Sequence, residues 1–221
     1  RFPDGNCSKY FLHIDCCITP GLLVNLPNLI TLSRIPLLFV VSALLYADWI
    51  GAPTLAFFLF VFAGVTDWVD GYIARRFNMI SNFGKLMDAL ADKIIIVGMF
   101  VTLLATQMLP TWSIGFVLLI LCREFLVTGL RLVAAGNGLV IAAEKRGKQK
   151  TIMQIICIGV ILAVPSIRED FSYLTGLSTG WVADLLQEWG IAFFVLVSLF
   201  TIYSGLVYLK KYWTVVYKLP D

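Results

Sequence analysis

The sequence predicts an all-α integral membrane protein with six transmembrane helices and both termini on the cytoplasmic side. Three observations lead there. First, 59% of the 221 residues are hydrophobic and only 14% are charged, with a mean hydropathy of +0.87, far more apolar than a soluble domain of this size requires. Second, the apolar residues fall into stretches that approach the ~20 residues a helix needs to cross a bilayer. Third, lysine and arginine gather in alternate loops between those stretches, which puts them on one side of a membrane, as orientation there demands.

Taken in order, the predicted spans cover 29–47, 53–75, 87–109, 111–135, 148–166 and 189–212. Pro36 lies near the start of the first and should kink it or break a turn locally. The third opens on "ALADKIII", with an aspartate and a lysine at its mouth. The fourth contains Arg123, Glu124 and Arg131, which are costly in a membrane helix. Alternating sides across six spans puts Arg1, Lys9, Arg34, Arg75, Arg76, Lys85, Lys93, Arg131, Lys145, Arg146, Lys148, Lys150, Lys210, Lys211 and Lys218 on one face. The opposite loops, 48–52, about 110 and 167–188, hold only Arg168. The net charge of +3 says less than this asymmetry. The external tail "WVADLLQEW" reads as a short interfacial helix with its tryptophans at headgroup level.

One domain is expected at 25–213, followed by a cytoplasmic tail at 214–221. Residues 1–24 fit the rest poorly and lack the basic and apolar regions of a signal peptide; they read as a leader or appended segment of unknown role. His13 with Cys16 and Cys17 reads as part of that leader, not as a metal site. The five cysteines form no C-x-x-C, and Cys122 and Cys157 fall in apolar spans where a thiol acts as a small hydrophobe.

The chemistry concentrates in "DWVDGYIARRFNMISNFGKLMDALADK", residues 67–93. Asp67 and Asp70 are spaced i, i+3; Asp88 and Asp92 are spaced i, i+4. Each pair shares one face of a helix, and a short connector brings the two pairs to the cytoplasmic surface. Four carboxylates at close range repel unless a cation lies between them. An oxygen-only donor set selects a hard ion, Mg²⁺ or Mn²⁺, and four carboxylates suffice for two. Two such ions suit phosphoryl transfer. Gly71 and Gly84 let backbone and a phosphate approach, and Arg75 can meet phosphate oxygens bidentately. A single D-x-x-D at a helix end would read as no more than an interfacial salt-bridge group.

This segment resembles the signature of the CDP-alcohol phosphotransferase family, D-x2-D-G-x2-A-R-x8-G-x3-D-x3-D. Asp67, Asp70, Gly71, Ala74, Arg75, Gly84, Asp88 and Asp92 fill every fixed position, and the six-span layout extends the likeness over about 25–213. The resemblance implies that Asp67, Asp70 and Asp88 hold one metal and that Asp67, Asp88 and Asp92 share a second. It makes Asp92 the general base and has Gly71, Ala74, Arg75 and Gly84 line the site of the CDP group. It further implies a CDP-linked lipid donor, an alcohol acceptor, a homodimer, and work at the bilayer with no role for nucleic acid.

Three stretches bear on the acceptor. "NLPNLITLSR" sets Asn28, Thr31 and Arg34 on one polar strip; Asn28 and Thr31 go with the donor and Arg34 with the acceptor. "CREFLVTGLR" buries Arg123 and Arg131 about eight residues, or ~12 Å, apart, with Glu124 able to satisfy only part of that charge. "EKRGKQKT" adds Lys148 at the cytoplasmic mouth, although its Lys145 and Arg146 read as well as membrane anchors. Such cations suit an acceptor that brings its own phosphate. By charge alone glycerol 3-phosphate and inositol phosphate fit equally; the wording of the three stretches resembles the glycerol-3-phosphate branch. The expected reaction is transfer of a phosphatidyl group from CDP-diacylglycerol to glycerol 3-phosphate in a bacterial inner membrane. The less favoured alternatives are a membrane prenyltransferase, whose two aspartate motifs lie on distant helices whereas these adjoin, and a cation transporter, which places acids near the midplane whereas these crowd one surface.

Overall fold

The computed structural model describes residues 26–76, 82–136, 145–176 and 179–217, with the side chains of 26–32, 67–76, 82–89, 135–136, 145–146, 148 and 213–217 outside that description. The described residues are helical almost throughout. Six long helices run α1 Leu26–Leu45, α2 Ala52–Arg76, α3 Asn82–Ala105, α4 Ile114–Gly136, α5 Lys145–Pro165 and, after a short α6 at Ser172–Thr175, α7 Gly180–Tyr217. Two of the described stretches, Gln149–Thr175 and Gly180–Tyr212, are long and apolar enough to cross a membrane; Ser33–Leu45 and Ala52–Thr66 are shorter apolar helices.

The helices close into a ring in which α1 packs on α2 and α3, α2 on α5, α5 on α7, α7 on α4, and α4 on α3, while α3 and α5 meet across the middle. The central packing is apolar. Met99, Phe100 and Leu103 of α3, Ile120 of α4, Ile158 and Leu162 of α5, and Phe194 and Val197 of α7 are buried. Phe194 packs edge-on against Phe100 and Phe116, at ring distances of 5.5 and 6.3 Å, the preferred geometry for aromatic pairs. Gly98 of α3 admits Leu38 of α1, since a Cβ there would lie 2.5 Å from a Leu38 methyl. Ser42 and Thr102 bond across the same pair of helices at 2.8 Å. The outward faces carry large exposed apolar residues such as Phe58, Phe62, Phe125 and Leu206, a surface that water alone would not favour.

Helix α1 continues through Pro36, which leaves one backbone hydrogen bond unmade. Two elements differ from the sequence expectation. The chain after Pro165 does not become a loop. It widens into a π turn, Ser166–Phe171, and continues into α6, which ends at Gly176 with φ +66° and the Gly176 N–H bonded to the Ser172 carbonyl at 3.0 Å, a left-handed C-terminal stop. Most clearly, "WVADLLQEW" is not a separate interfacial helix. It forms the first turns of α7, a single helix of 38 residues, about 57 Å long at ~1.5 Å per residue. Proline is absent from the whole stretch, and Gly190 brings α7 close to α5, where a Cβ would stand 3.3 Å from Ile161. Trp181 and Trp189 are still largely exposed.

The π turn has a structural use. It turns Asp170 onto the first turn of α2, where the carboxylate accepts hydrogen bonds from the Gly51 N–H at 2.7 Å, the Thr54 N–H at 3.0 Å and the Thr54 hydroxyl. Helix N-termini leave backbone donors without intrahelical partners, and a carboxylate there also meets the favourable end of the helix dipole. Asp170 is itself buried. Asp170→Ala should cost about 1–2 kcal/mol, read as a lower unfolding temperature of the detergent-solubilised protein, with Asp170→Asn milder.

Candidate functional site

Asp67 and Asp70 fall near the end of α2, and Asp88 and Asp92 in the first half of α3. The helices extend closer together along the chain than expected, since α3 begins at Asn82 and only 77–81 separates it from α2. The side chains of Asp67, Asp70, Gly71, Ala74, Arg75, Gly84 and Asp88 lie outside the described residues, as do those of Asn28, Thr31 and Lys148. Among the described residues no group of three or more His, Cys, Asp or Glu forms.

Asp92 is described, half-buried, and in company. It lines a small cavity of about 30 Å³ with Arg34, Phe60, Ala63, Gly64, Ile95, Ile96 and Ile155. Arg34 is 3% exposed, so α1 delivers a guanidinium to the same chamber that receives the α3 carboxylate. That pairing was expected of Arg34 only as an acceptor residue, not as a neighbour of Asp92. Phe60, Gly64 and Ile155 also belong to a larger apolar groove of about 550 Å³ between α2 and α5. The groove runs outward from Gly64 to Phe57 along α2, lined on the α5 side by Ile156, Gly159 and Ala163.

A cluster of cations lies within electrostatic reach of the carboxylate. Lys150 interacts electrostatically with Arg123, Asp92 and Lys93, and Lys93 with Asp92, Arg131 and Arg123. Glu124 is the hub: its Oε1 accepts from Arg123 Nη1 at 3.2 Å and from Lys150 Nζ. All three are largely buried. Helices α4 and α5 do not rank among the closely packed pairs, so this ion pair links them through long side chains. Burying such charges without partners would be prohibitive, which is why a glutamate stands beside Arg123. Helix α7 supplies the remaining polar groups. Ser204 accepts from Arg123 Nη2 at 3.2 Å, and the Tyr208 hydroxyl accepts from Arg131 Nε at 3.2 Å. The Arg131 guanidinium also lies 5.4 Å from the Tyr208 ring centre, within cation–π range. Next along, Gln154 of α5 donates to Thr201 at 3.3 Å.

The structure places Arg34 beside Asp92, and sets Lys150, Ser204 and Tyr208, which the sequence did not single out, against Arg123, Glu124 and Arg131. Lys150 had been read only as one of several basic residues opening a span. Ser204 and Tyr208 carry a signal that could have found them, because polar residues at i and i+4 on an otherwise apolar helix face a common partner.

Residues 24–196 match the family model described as CDP-alcohol phosphatidyltransferase. The chain belongs to the CDP-alcohol phosphatidyltransferase family. It is similar to the CDP-diacylglycerol–glycerol-3-phosphate 3-phosphatidyltransferase of Bacillus subtilis (strain 168), with 40% identity over 201 residues, or 86% of this chain and 95% of that protein. The Rickettsia typhi protein of the same name is 37% identical over 138 residues, 62% of this chain and 76% of its own length. That of Salmonella choleraesuis is 29% identical over 170 residues, 76% and 91%. As a CDP-alcohol phosphatidyltransferase, the chain carries its aspartate signature on α2 and α3 and its cations on α3, α4 and α5, with Ser204 and Tyr208 of α7 bonded to the two arginines.

Proposed function

We propose that this CDP-alcohol phosphatidyltransferase transfers the phosphatidyl group of CDP-diacylglycerol to sn-glycerol 3-phosphate, giving phosphatidylglycerophosphate and CMP. The observation that carries this reading is the buried Arg123–Glu124–Lys150 cluster, with Arg131 held by Tyr208, in electrostatic reach of Asp92 and Lys93 on α3. A proton acceptor beside a surplus of cations suits an alcohol that brings its own phosphate. The names of the Bacillus, Rickettsia and Salmonella relatives favour glycerol 3-phosphate over inositol phosphate.

The four aspartates form an oxygen-only donor set that fits Mg²⁺ or Mn²⁺, and Asp67, Asp70, Asp88 and Asp92 would hold two ions. Bound there, the metal supplies charge stabilisation to the transferring phosphoryl group. The chain's own side chains do the rest. Gly71, Ala74, Arg75 and Gly84, with Asn28 and Thr31, seat the CDP portion of the donor. The groove between α2 and α5 is apolar and joins the Asp92 chamber through shared residues, which suits a donor with hydrocarbon chains. Arg34, Arg123, Arg131, Lys148 and Lys150 hold the acceptor phosphate. Asp92 takes the proton of the acceptor's primary hydroxyl. The freed oxygen attacks the phosphorus that bears diacylglycerol, the anhydride bond breaks, and CMP leaves with the electron pair beside Arg75.

In this reading the chain crosses a bacterial inner membrane six times, with its termini and active site at the cytoplasmic face, and functions as a homodimer. The exposed apolar faces of the helices and the one-sided distribution of Lys and Arg support it.

The test is an acceptor panel. Purified protein with CDP-diacylglycerol should release CMP with glycerol 3-phosphate and not with inositol phosphate, serine or phosphatidylglycerol; preference for another acceptor overturns the assignment. EDTA should abolish release, and Mg²⁺ or Mn²⁺ should restore it; activity that persists in chelator removes the metals. Arg131→Ala should raise the glycerol 3-phosphate KM by roughly tenfold or more, the worth of a hydrogen bond to a charged group, and leave the donor KM nearly constant.

A further inference from the structure

We infer that α7 positions the acceptor-binding arginines: Ser204, Gly205 and Tyr208 fix Arg123 and Arg131 and so set the enzyme's selectivity for a phosphate-bearing acceptor. The inference rests on the reading of the cation cluster proposed above. Thr201, Ser204, Gly205 and Tyr208 recur at i, i+3, i+4 and i+7, one stripe of a helix, and this stripe faces α4 and α5. Ser204 and Tyr208 are 5% and 3% exposed, and buried polar groups on an apolar helix are retained only with partners. Their partners are the two arginines.

Each of the three residues constrains a different degree of freedom. Ser204 takes Arg123 Nη2 while Glu124 takes Nη1, each at 3.2 Å, which fixes the plane of that guanidinium. Gly205 fixes its stem. A Cβ at position 205 would lie 2.5 Å from Arg123 Cγ, 3.6 Å from Cδ and 3.4 Å from Nε. The near atom belongs to the base of the side chain, not to a free tip, so any larger residue must push the arginine out of its course. Tyr208 holds Arg131 through Nε and through its ring face, so its hydroxyl engages the inner nitrogen instead of the terminal fork that grips phosphate oxygens. A guanidinium oriented before the ligand arrives loses less freedom on binding.

The experiment uses the full chain in detergent with CDP-diacylglycerol, glycerol 3-phosphate and Mg²⁺, and separates acceptor KM, donor KM and kcat. Tyr208→Phe and Ser204→Ala should each raise the acceptor KM roughly fivefold to tenfold and shift the donor KM less than about twofold. Tyr208→Leu, which also loses the ring face, should exceed Tyr208→Phe. Gly205→Ala should raise the acceptor KM, and it should add nothing in an Arg123→Ala background, where the obstructed stem is gone. Because Gly205→Ala could destabilise the bundle, the two hydroxyl variants carry the test alone if it does not fold. Acceptor and donor KM rising together, or Gly205→Ala and Arg123→Ala effects that simply add, would overturn the inference. If Arg123→Ala and Arg131→Ala raise the acceptor KM and the α7 variants do not, only the positioning role falls. If the arginine variants also leave it unchanged, the acceptor site itself is misassigned and the α7 role falls with it.

Discussion

Asp92→Asn should yield a folded helical protein whose CMP release has fallen by about 10²–10⁴-fold, the usual contribution of a positioned general base. The substitution is nearly isosteric, and Asp92 already sits half-buried among Arg34, Ala63, Gly64 and Ile95, so shape is preserved while the ability to take a proton is lost. Removal of one carboxylate from the donor set acts in the same direction. Far-UV circular dichroism and gel filtration report the fold, and single-turnover release of CMP reports the chemistry. Turnover close to the parental rate would take Asp92 out of the reaction.

The second large effect belongs to Glu124. Its carboxylate answers two cations at once, Arg123 and Lys150, in surroundings that expose each of them by a tenth or less. Glu124→Gln leaves both cations with an amide. Breaking a buried ion pair by removal of one partner costs about 3–5 kcal/mol, so a clear fall in unfolding temperature is expected, together with a higher acceptor KM because both cations lose their anchor. Glu124→Gln combined with Lys150→Met should regain part of the stability and none of the acceptor affinity. A single variant with unchanged melting and kinetics would show that the hub carries no weight.

Much of this arrangement could be read from the chain itself. Helix positions followed from apolar runs, because each long helix exposes one face and buries another, and the same runs put two aspartates near the end of α2 and two in the first half of α3. What escaped the sequence was set by partners far along the chain. Lys150 looked like one basic residue among several, and only the fold brings it to Glu124, 26 positions away. Asp170 looked like a loop acid and caps α2 from 116 positions downstream. The continuity of α7 was missed because tryptophans and acids at 181–189 read as an interface signal, whereas packing of Gly190 on Ile161 keeps the helix going. Periodicity reports a residue's face, not who stands opposite.

The buried ion pairs of α4 have a consequence for how the protein is made. Arg123, Glu124 and Arg131 leave the ribosome before Lys150, Ser204 and Tyr208, the groups that complete their neutralisation. Charged groups are poorly tolerated in hydrocarbon on a solitary helix. Under the six-span topology proposed above, the newborn α4 would therefore be a reluctant occupant of the lipid until its downstream companions arrive, and the carboxy-terminal half of the chain would enter the bilayer as a cohort.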